Sequence, residues 1–160
     1  MDHIWSPWRM SYIQGSKTSK GCVFCHAPDS PNGLGNLIVH RGVHAYVILN
    51  RYPYTSGHLM VVPFKHKPNL DDLTPETRAE MMELTARCIH ILRENYKAQG
   101  FNVGANIGSA AGAGIPKHFH FHIVPRWAGD TNFMSAIGNT RVVPEDLEAS
   151  YRKLRDSWEF

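Results

Sequence analysis

Residues 37–62 read LIVHRGVHAYVILNRYPYTSGHLMVV. Three short runs rich in β-branched and aromatic residues, Leu37 to Val39, Ala45 to Leu49 and His58 to Val62, are separated by turn-forming residues at Arg41-Gly42 and from Tyr52 to Gly57. A crossover between parallel strands needs about a dozen residues or more, usually a helix, and the gaps leave no room for one. The stretch therefore predicts an antiparallel meander.

Downstream the period changes. Thr74-Pro75 supplies an N-cap and a first helical residue, and Met81, Thr85, Cys88, Leu92 and Tyr96 recur at helical spacing up to Gly100, which is expected to stop the helix. On that face Cys88 reads as core. Phe101 to Ile107 and His118 to Val124 predict two more strands, joined by the glycine-rich segment from Gly108 to Gly114. After Pro144, the spacing of Leu147, Tyr151, Leu154 and Trp158 predicts a C-terminal helix over 144–160. The class is α+β, an antiparallel sheet of about five strands with one long helix and a C-terminal one. No repeat or shift in composition divides residues 1–160, so one domain is expected. In the arm formed by residues 1–21, Trp5 and Trp8 read as hydrophobic anchors onto the body or a partner subunit.

A chain of 160 residues, 42% hydrophobic and 19% charged, has an ordinary globular composition. Its net charge of +3, from 17 Lys and Arg against 14 Asp and Glu, comes without a run of like charge to follow a nucleic-acid backbone. A small anionic substrate fits better than polymeric nucleic acid. No window approaches the roughly 20 apolar residues of a membrane span, and the N-terminus lacks a basic-then-apolar leader. The expectation is a protein with no membrane partner. Cys22, Cys25 and Cys88 make an odd set with one C-x-x-C pair, which suits a metal or redox site in a reducing, cytoplasmic setting better than a secreted disulfide framework.

Ten histidines point to chemistry near neutral pH. In His118-Phe119-His120-Phe121-His122-Ile123-Val124 they alternate with apolar residues, so a strand would present three imidazoles on one face and bury the apolar side chains behind. Beside a phosphate, one neutral imidazole can attack phosphorus while its neighbours donate to the oxygens or protonate the leaving group. Backbone N–H groups of the preceding glycine-rich loop can cradle phosphates. Phosphoryl transfer asks mainly for positioning and charge stabilisation, which this set supplies without a catalytic magnesium ion.

That run resembles the signature of the histidine triad (HIT) superfamily, and weaker likeness extends from about Trp5 to Trp127. The resemblance implies a HIT-like α+β fold, a homodimer sharing one continuous sheet, and nucleotidyl transferase or hydrolase activity. It implies His120 as the nucleophile at the α-phosphate and His122 as the group acting at the bridging oxygen. Leu49-Asn50-Arg51 with Ser56-Gly57-His58 resembles the family's strand-turn-strand, where Asn50 would bind the ribose hydroxyls and His58 would support the site from behind. On the residues alone, Asn50 reads equally as a turn-stabilising amide. Asn106 and Ser109 resemble polar groups near the phosphates. Gly114 stands in the phosphate-facing loop where many HIT hydrolases carry Gln, a departure that puts simple hydrolysis in doubt. The segments Ala111 to Pro116, Val124 to Trp127 and Gly129 to Met134 resemble the dinucleoside-polyphosphate branch, which includes diadenosine tetraphosphate phosphorylases. Trp127 has two readings, an interface or core aromatic and a platform for a nucleotide base.

Cys22 and Cys25 can supply two thiolates to a tetrahedral zinc, or remain a vacant thiol pair. The Pro-rich sequence after Cys25 argues against a redox pair at a helix start. By resemblance to zinc-containing HIT relatives and galactose-1-phosphate uridylyltransferases, His66 and His118 would complete the set. His26 would be directed away from it, and His3, His40, His44 and His90 belong to no constellation. Two rival readings stand beside dinucleoside-polyphosphate cleavage: a nucleoside phosphoramidase, and a nucleotide-binding module without catalysis.

Overall fold

The structure, a computed structural model, describes residues 21–130 and 145–158. The expected arm with Trp5 and Trp8, and the stretch from Thr131 to Met134, lie outside the described residues. Five antiparallel strands form one open sheet: β1 (Ile38–Arg41), β2 (Ala45–Leu49), β3 (Leu59–Pro63), β4 (Gly100–Gly104) and β5 (Phe121–Arg126), in the order β1-β2-β3-β5-β4. Among the described residues three α-helices accompany them: α1 (Val23–His26), α2 (Pro75–Tyr96) and α3 (Leu147–Asp156). The expected α+β meander is present, with β5 inserted between β3 and β4.

β2 and β3 are buried along their whole length, and they pair from Ala45↔Pro63 to Leu49↔Leu59 without a register shift. Two-sided burial explains their near-continuous apolar runs. α2 covers the sheet with Met81, Leu84, Cys88, Ile91 and Leu92. Burial pushes the Cys88 thiol well up, as befits a core residue. At the start of α2, Thr74 accepts the Thr77 N–H at 3.3 Å, the expected cap. The helix ends before Gly100, however. Tyr96 is its last residue and Lys97 takes a left-handed conformation (φ 50°), so a lysine, not the expected glycine, makes the turn and Gly100 opens β4.

Three contacts brace the sheet. Glu80 of α2 accepts the N–H groups of Val43, His44 and Ala45 at 2.7, 2.5 and 2.9 Å, which holds the β1–β2 hairpin. Tyr151 of α3 donates to the Ile38 carbonyl at 3.2 Å. Gly57, at φ +77°, passes so close to α2 that a Cβ there would sit 2.9 Å from Leu92 Cδ2 and 3.3 Å from the Tyr96 ring. A side chain would thus meet both an unfavourable backbone region and an occupied space, directly before His58. Gly57→Ala is expected to lower stability by about 1–2 kcal/mol, read as a lower urea midpoint at unchanged slope; an unchanged midpoint would contradict this packing.

Candidate active site and metal centre

The sequence places the triad on a strand, but the β3–β5 ladder begins only at Val61↔Phe121. Upstream of it the chain is held differently. Phe119 donates its N–H to the Lys67 carbonyl at 2.7 Å, across from a β3 that ends in proline, and Pro63 has no N–H to give. His118 and His120 therefore precede β5, while His122 lies in it. Their alternation with the apolar residues survives: the Phe119 and Phe121 rings meet edge-on at 5.0 Å, and the His120 and His122 rings meet at 4.8 Å.

The tautomers follow from the partners. His118 Nε2 lies 2.8 Å from the Pro63 carbonyl, which can only accept, so the ring proton sits on Nε2 and the Nδ1 lone pair faces the thiols. His120 Nδ1–H donates to the His118 carbonyl at 2.9 Å, leaving the lone pair on Nε2. His120 is 6% exposed, and burial pushes its pKa below the ordinary value, although the bond to His118 opposes this. A neutral imidazole with a lone pair on Nε2 is the nucleophilic form. Behind it, Tyr54 donates its backbone N–H to His58 Nδ1 at 3.1 Å, so His58 carries its proton on Nε2, 3.0 Å from His122 Nδ1. That relay places the His122 proton on Nε2. His58 is fully buried.

A cleft of about 1130 Å³ opens in front of His120 and His122. It is slightly larger than the roughly 300–1,000 Å³ of ordinary small-molecule pockets. Leu37, Ile48 and Met60 give it an apolar wall, and Asn50, Arg51 and Asn106 add polar groups. Asn50 does make the turn contact weighed above, accepting the Tyr52 N–H at 2.9 Å on Oδ1; an amide oxygen has a second lone pair, so the turn and a ribose contact are compatible. Of the glycine-rich loop, Gly114 reaches the cleft. Gly108 and Gly112 both have φ +81°, and the N–H groups of Ala111, Gly112 and Ala113 bond back to Gly108 and Ser109 carbonyls. The loop's donors are thus partly committed to its own turn. The structure does not bring Ser109 or Trp127 to the cleft wall. Trp127 instead donates its indole N–H to the Tyr96 carbonyl at 3.0 Å, anchoring the end of α2.

Cys22, Cys25, His66 and His118 converge, with one ligand atom from each within 4.8 Å of all the others. Sulfur-to-nitrogen distances of 3.4 Å (Cys22–His118), 3.1 Å (Cys25–His66) and 3.5 Å (Cys25–His118) are close to the edges of a tetrahedron whose bonds are about 2.0–2.3 Å. Burial raises the Cys22 thiol, but the His118 ring and the N–H groups of Cys25 and Phe24 outweigh it and bring the pKa down to about 6. Desolvation and the adjacent Cys22 sulfur push Cys25 up to about 11. One thiolate forms easily and opposes the second, a repulsion that a divalent cation removes. The donor set fits a tetrahedral metal ion. Contrary to the sequence reading, the C-x-x-C pair does sit at a helix start: Cys22 precedes the single turn of α1, Cys25 lies within it, and the Cys25 and His26 N–H groups both bond to the Cys22 carbonyl. His26 is directed to Asp29 at 3.3 Å, away from the cluster. His40 stacks on Trp158 at 4.4 Å, while His44 and His90 are exposed.

Four participants carried no readable signal. The Pro63 and His118 carbonyls and the Tyr54 N–H are main-chain atoms. Phe24 stands between two cysteines, and its ring lies 4.8 Å from that of His120.

A family model described as HIT domain matches residues 36–129. An AP-4-A phosphorylase of Mycobacterium tuberculosis is 39% identical, over 99% of this chain and 85% of its own length. An asymmetrical bis(5'-nucleosyl)-tetraphosphatase of Schizosaccharomyces pombe is 29% identical, over 61% of this chain and 53% of its own. A crystal structure of a zinc-bound histidine triad family protein from Mycobacterium smegmatis matches with a TM-score of 0.69 at 34% identity, covering 87% of this chain and 94% of that one.

Proposed function

The chain belongs to the HIT domain family, and we propose that it cleaves dinucleoside polyphosphates such as diadenosine tetraphosphate through a covalent nucleotidyl-His120 intermediate. The observation that carries this is the His120 ring: buried, kept neutral, protonated on Nδ1 against the His118 carbonyl, and lining the cleft. Nε2 attacks the α-phosphorus, the phosphorus–oxygen bond to the remaining polyphosphate breaks, and ATP leaves. His122 Nε2–H, oriented by His58, donates to the departing bridging oxygen. Asn50 takes the ribose hydroxyls, and Asn106 with Gly114 faces the phosphates. An acceptor oxygen then attacks phosphorus from the side that ATP vacated and frees His120.

We favour inorganic phosphate as the acceptor. Gly114 leaves open the position where many hydrolases of the family carry Gln, and the Mycobacterium tuberculosis relative is named a phosphorylase. Phosphate gives ADP and ATP, whereas water gives AMP and ATP. Incubation of the purified protein with diadenosine tetraphosphate, with and without phosphate, is expected to yield ADP plus ATP only with phosphate. AMP plus ATP without phosphate would replace the acceptor and keep the mechanism. His120→Ala is expected to lower kcat by about a thousandfold or more while nucleotide binding persists; turnover undiminished in that variant would overturn the mechanism.

Cys22, Cys25, His66 and His118 would hold zinc, which when bound supplies structural rigidity at the root of the triad. Reduced thiols of this kind fit a cytoplasmic setting. About one zinc per chain is expected after gel filtration, and close to none in a Cys22→Ser, Cys25→Ser variant; a wild-type chain that neither contains zinc nor takes it up would contradict the assignment. A second copy pairing along the exposed edge of β4, where Asn102, Val103 and Gly104 face solvent, would extend the sheet into a homodimer.

A further inference from the structure

The metal-binding turn touches the nucleophile. α1 closes one helical turn between the two cysteines, and the side chain it sends inward is Phe24, 4% exposed. Its carbonyl accepts the buried Tyr46 hydroxyl at 2.7 Å, which ties the turn to β2. Its ring lies 4.8 Å from that of His120 at an interplanar angle of 56°, and 5.5 Å from that of His118 at 74°. The ring of His122 meets His120 at 4.8 Å.

These contacts address a weakness in the hydrogen bonding. The χ2 torsion of histidine is broad and roughly two-fold, so one bond from Nδ1 does not fix the plane of the ring. A half-turn about χ2 would put carbon at the His118 carbonyl and move Nε2 off the line of attack. Neighbouring rings resist that rotation by filling the space it needs. We propose that Phe24 is a positioning residue for His120, and that the metal-binding turn acts on the chemistry by holding this ring in place. The claim rests on the reading of His120 as nucleophile, and it adds a route from metal to nucleophile besides the His118 backbone.

Because Phe24 also lines the cleft, the rival reading is a simple wall for the substrate, and kinetics separate the two. Phe24→Ala and Phe24→Leu are compared with wild type for zinc per chain, for kcat and KM with diadenosine tetraphosphate, and for the His120 tautomer at one fixed pH. The tautomer is read from long-range proton–nitrogen correlation spectra of histidine-labelled protein. Phe24→Ala is expected to keep the wild-type zinc content and a KM within about twofold, while kcat falls by about 10- to 100-fold, the scale of loss that small misplacements of reacting groups produce. Its His120 should show averaged ring states where wild type shows one Nδ1–H tautomer. Phe24→Leu keeps apolar bulk without the flat ring and should fall between the two; it also carries the test if the alanine variant does not fold. A raised KM at unchanged kcat, zinc lost together with activity, or a Phe24→Leu protein with wild-type kcat and spectrum would each overturn the proposal. The spectra need no substrate, so a wild-type protein inactive on diadenosine tetraphosphate would remove the functional reading and still leave the positioning claim decided.

Discussion

All the polar atoms of His118 are engaged, and the site is organised around them. Its Nε2–H is bound by the Pro63 carbonyl, its Nδ1 faces Cys22 and Cys25, its own carbonyl holds His120 Nδ1–H, and its N–H reaches the Ile115 carbonyl at 3.3 Å. The residue is fully buried, where an unmatched polar group would cost about 1–3 kcal/mol. Each partner therefore constrains the others. The last carbonyl of β3 sets which nitrogen meets the thiols, and the same residue's carbonyl sets which nitrogen of His120 is left for chemistry. The Cys/His cluster and the His120 ring share one hinge of backbone.

A second line of imidazoles runs in parallel. The Tyr54 N–H, His58 and His122 form a chain in which each donor leaves the next ring with its proton one step nearer the cleft. His58 is fully buried and His122 is partly buried beside the cleft. Gly57 belongs to the same device. Only a residue without a side chain lets the turn before His58 lie against Leu92 and Tyr96 of α2, so the long helix ends up supporting the proton relay.

Much of this was legible in the order of residues. Two-sided burial wrote β2 and β3 as unbroken apolar runs, and the hairpin turns fell at Arg41-Gly42 and before Gly57. Period-two alternation located the triad, although it could not show that the ladder starts only at Phe121, since a proline at the end of the neighbouring strand decides that. Gly100 looked like a helix stop, but any residue that tolerates a left-handed conformation can make the turn, and Lys97 does. His66 and His118 as companions of Cys22 and Cys25 came from family resemblance, because ligands so far apart in sequence meet only in the folded chain. Phe24 was hidden for the opposite reason: an apolar residue between two cysteines looks like filler until the rings it touches are known. Trp127 could be read two ways, and its indole N–H turned out to be committed to the end of α2.

In the mechanism proposed for this site, His120 carries the nucleotide between a departing polyphosphate and an incoming acceptor. Each displacement at phosphorus inverts its configuration, so two of them restore it. The most direct test is the stereochemical course of the reaction on a diadenosine tetraphosphate analogue whose reacting phosphorus is made chiral with sulfur and an oxygen isotope. Retention in the product nucleotide is the predicted result, whether phosphate or water is the acceptor. Inversion would mean a single direct displacement and would contradict the nucleotidyl-His120 intermediate.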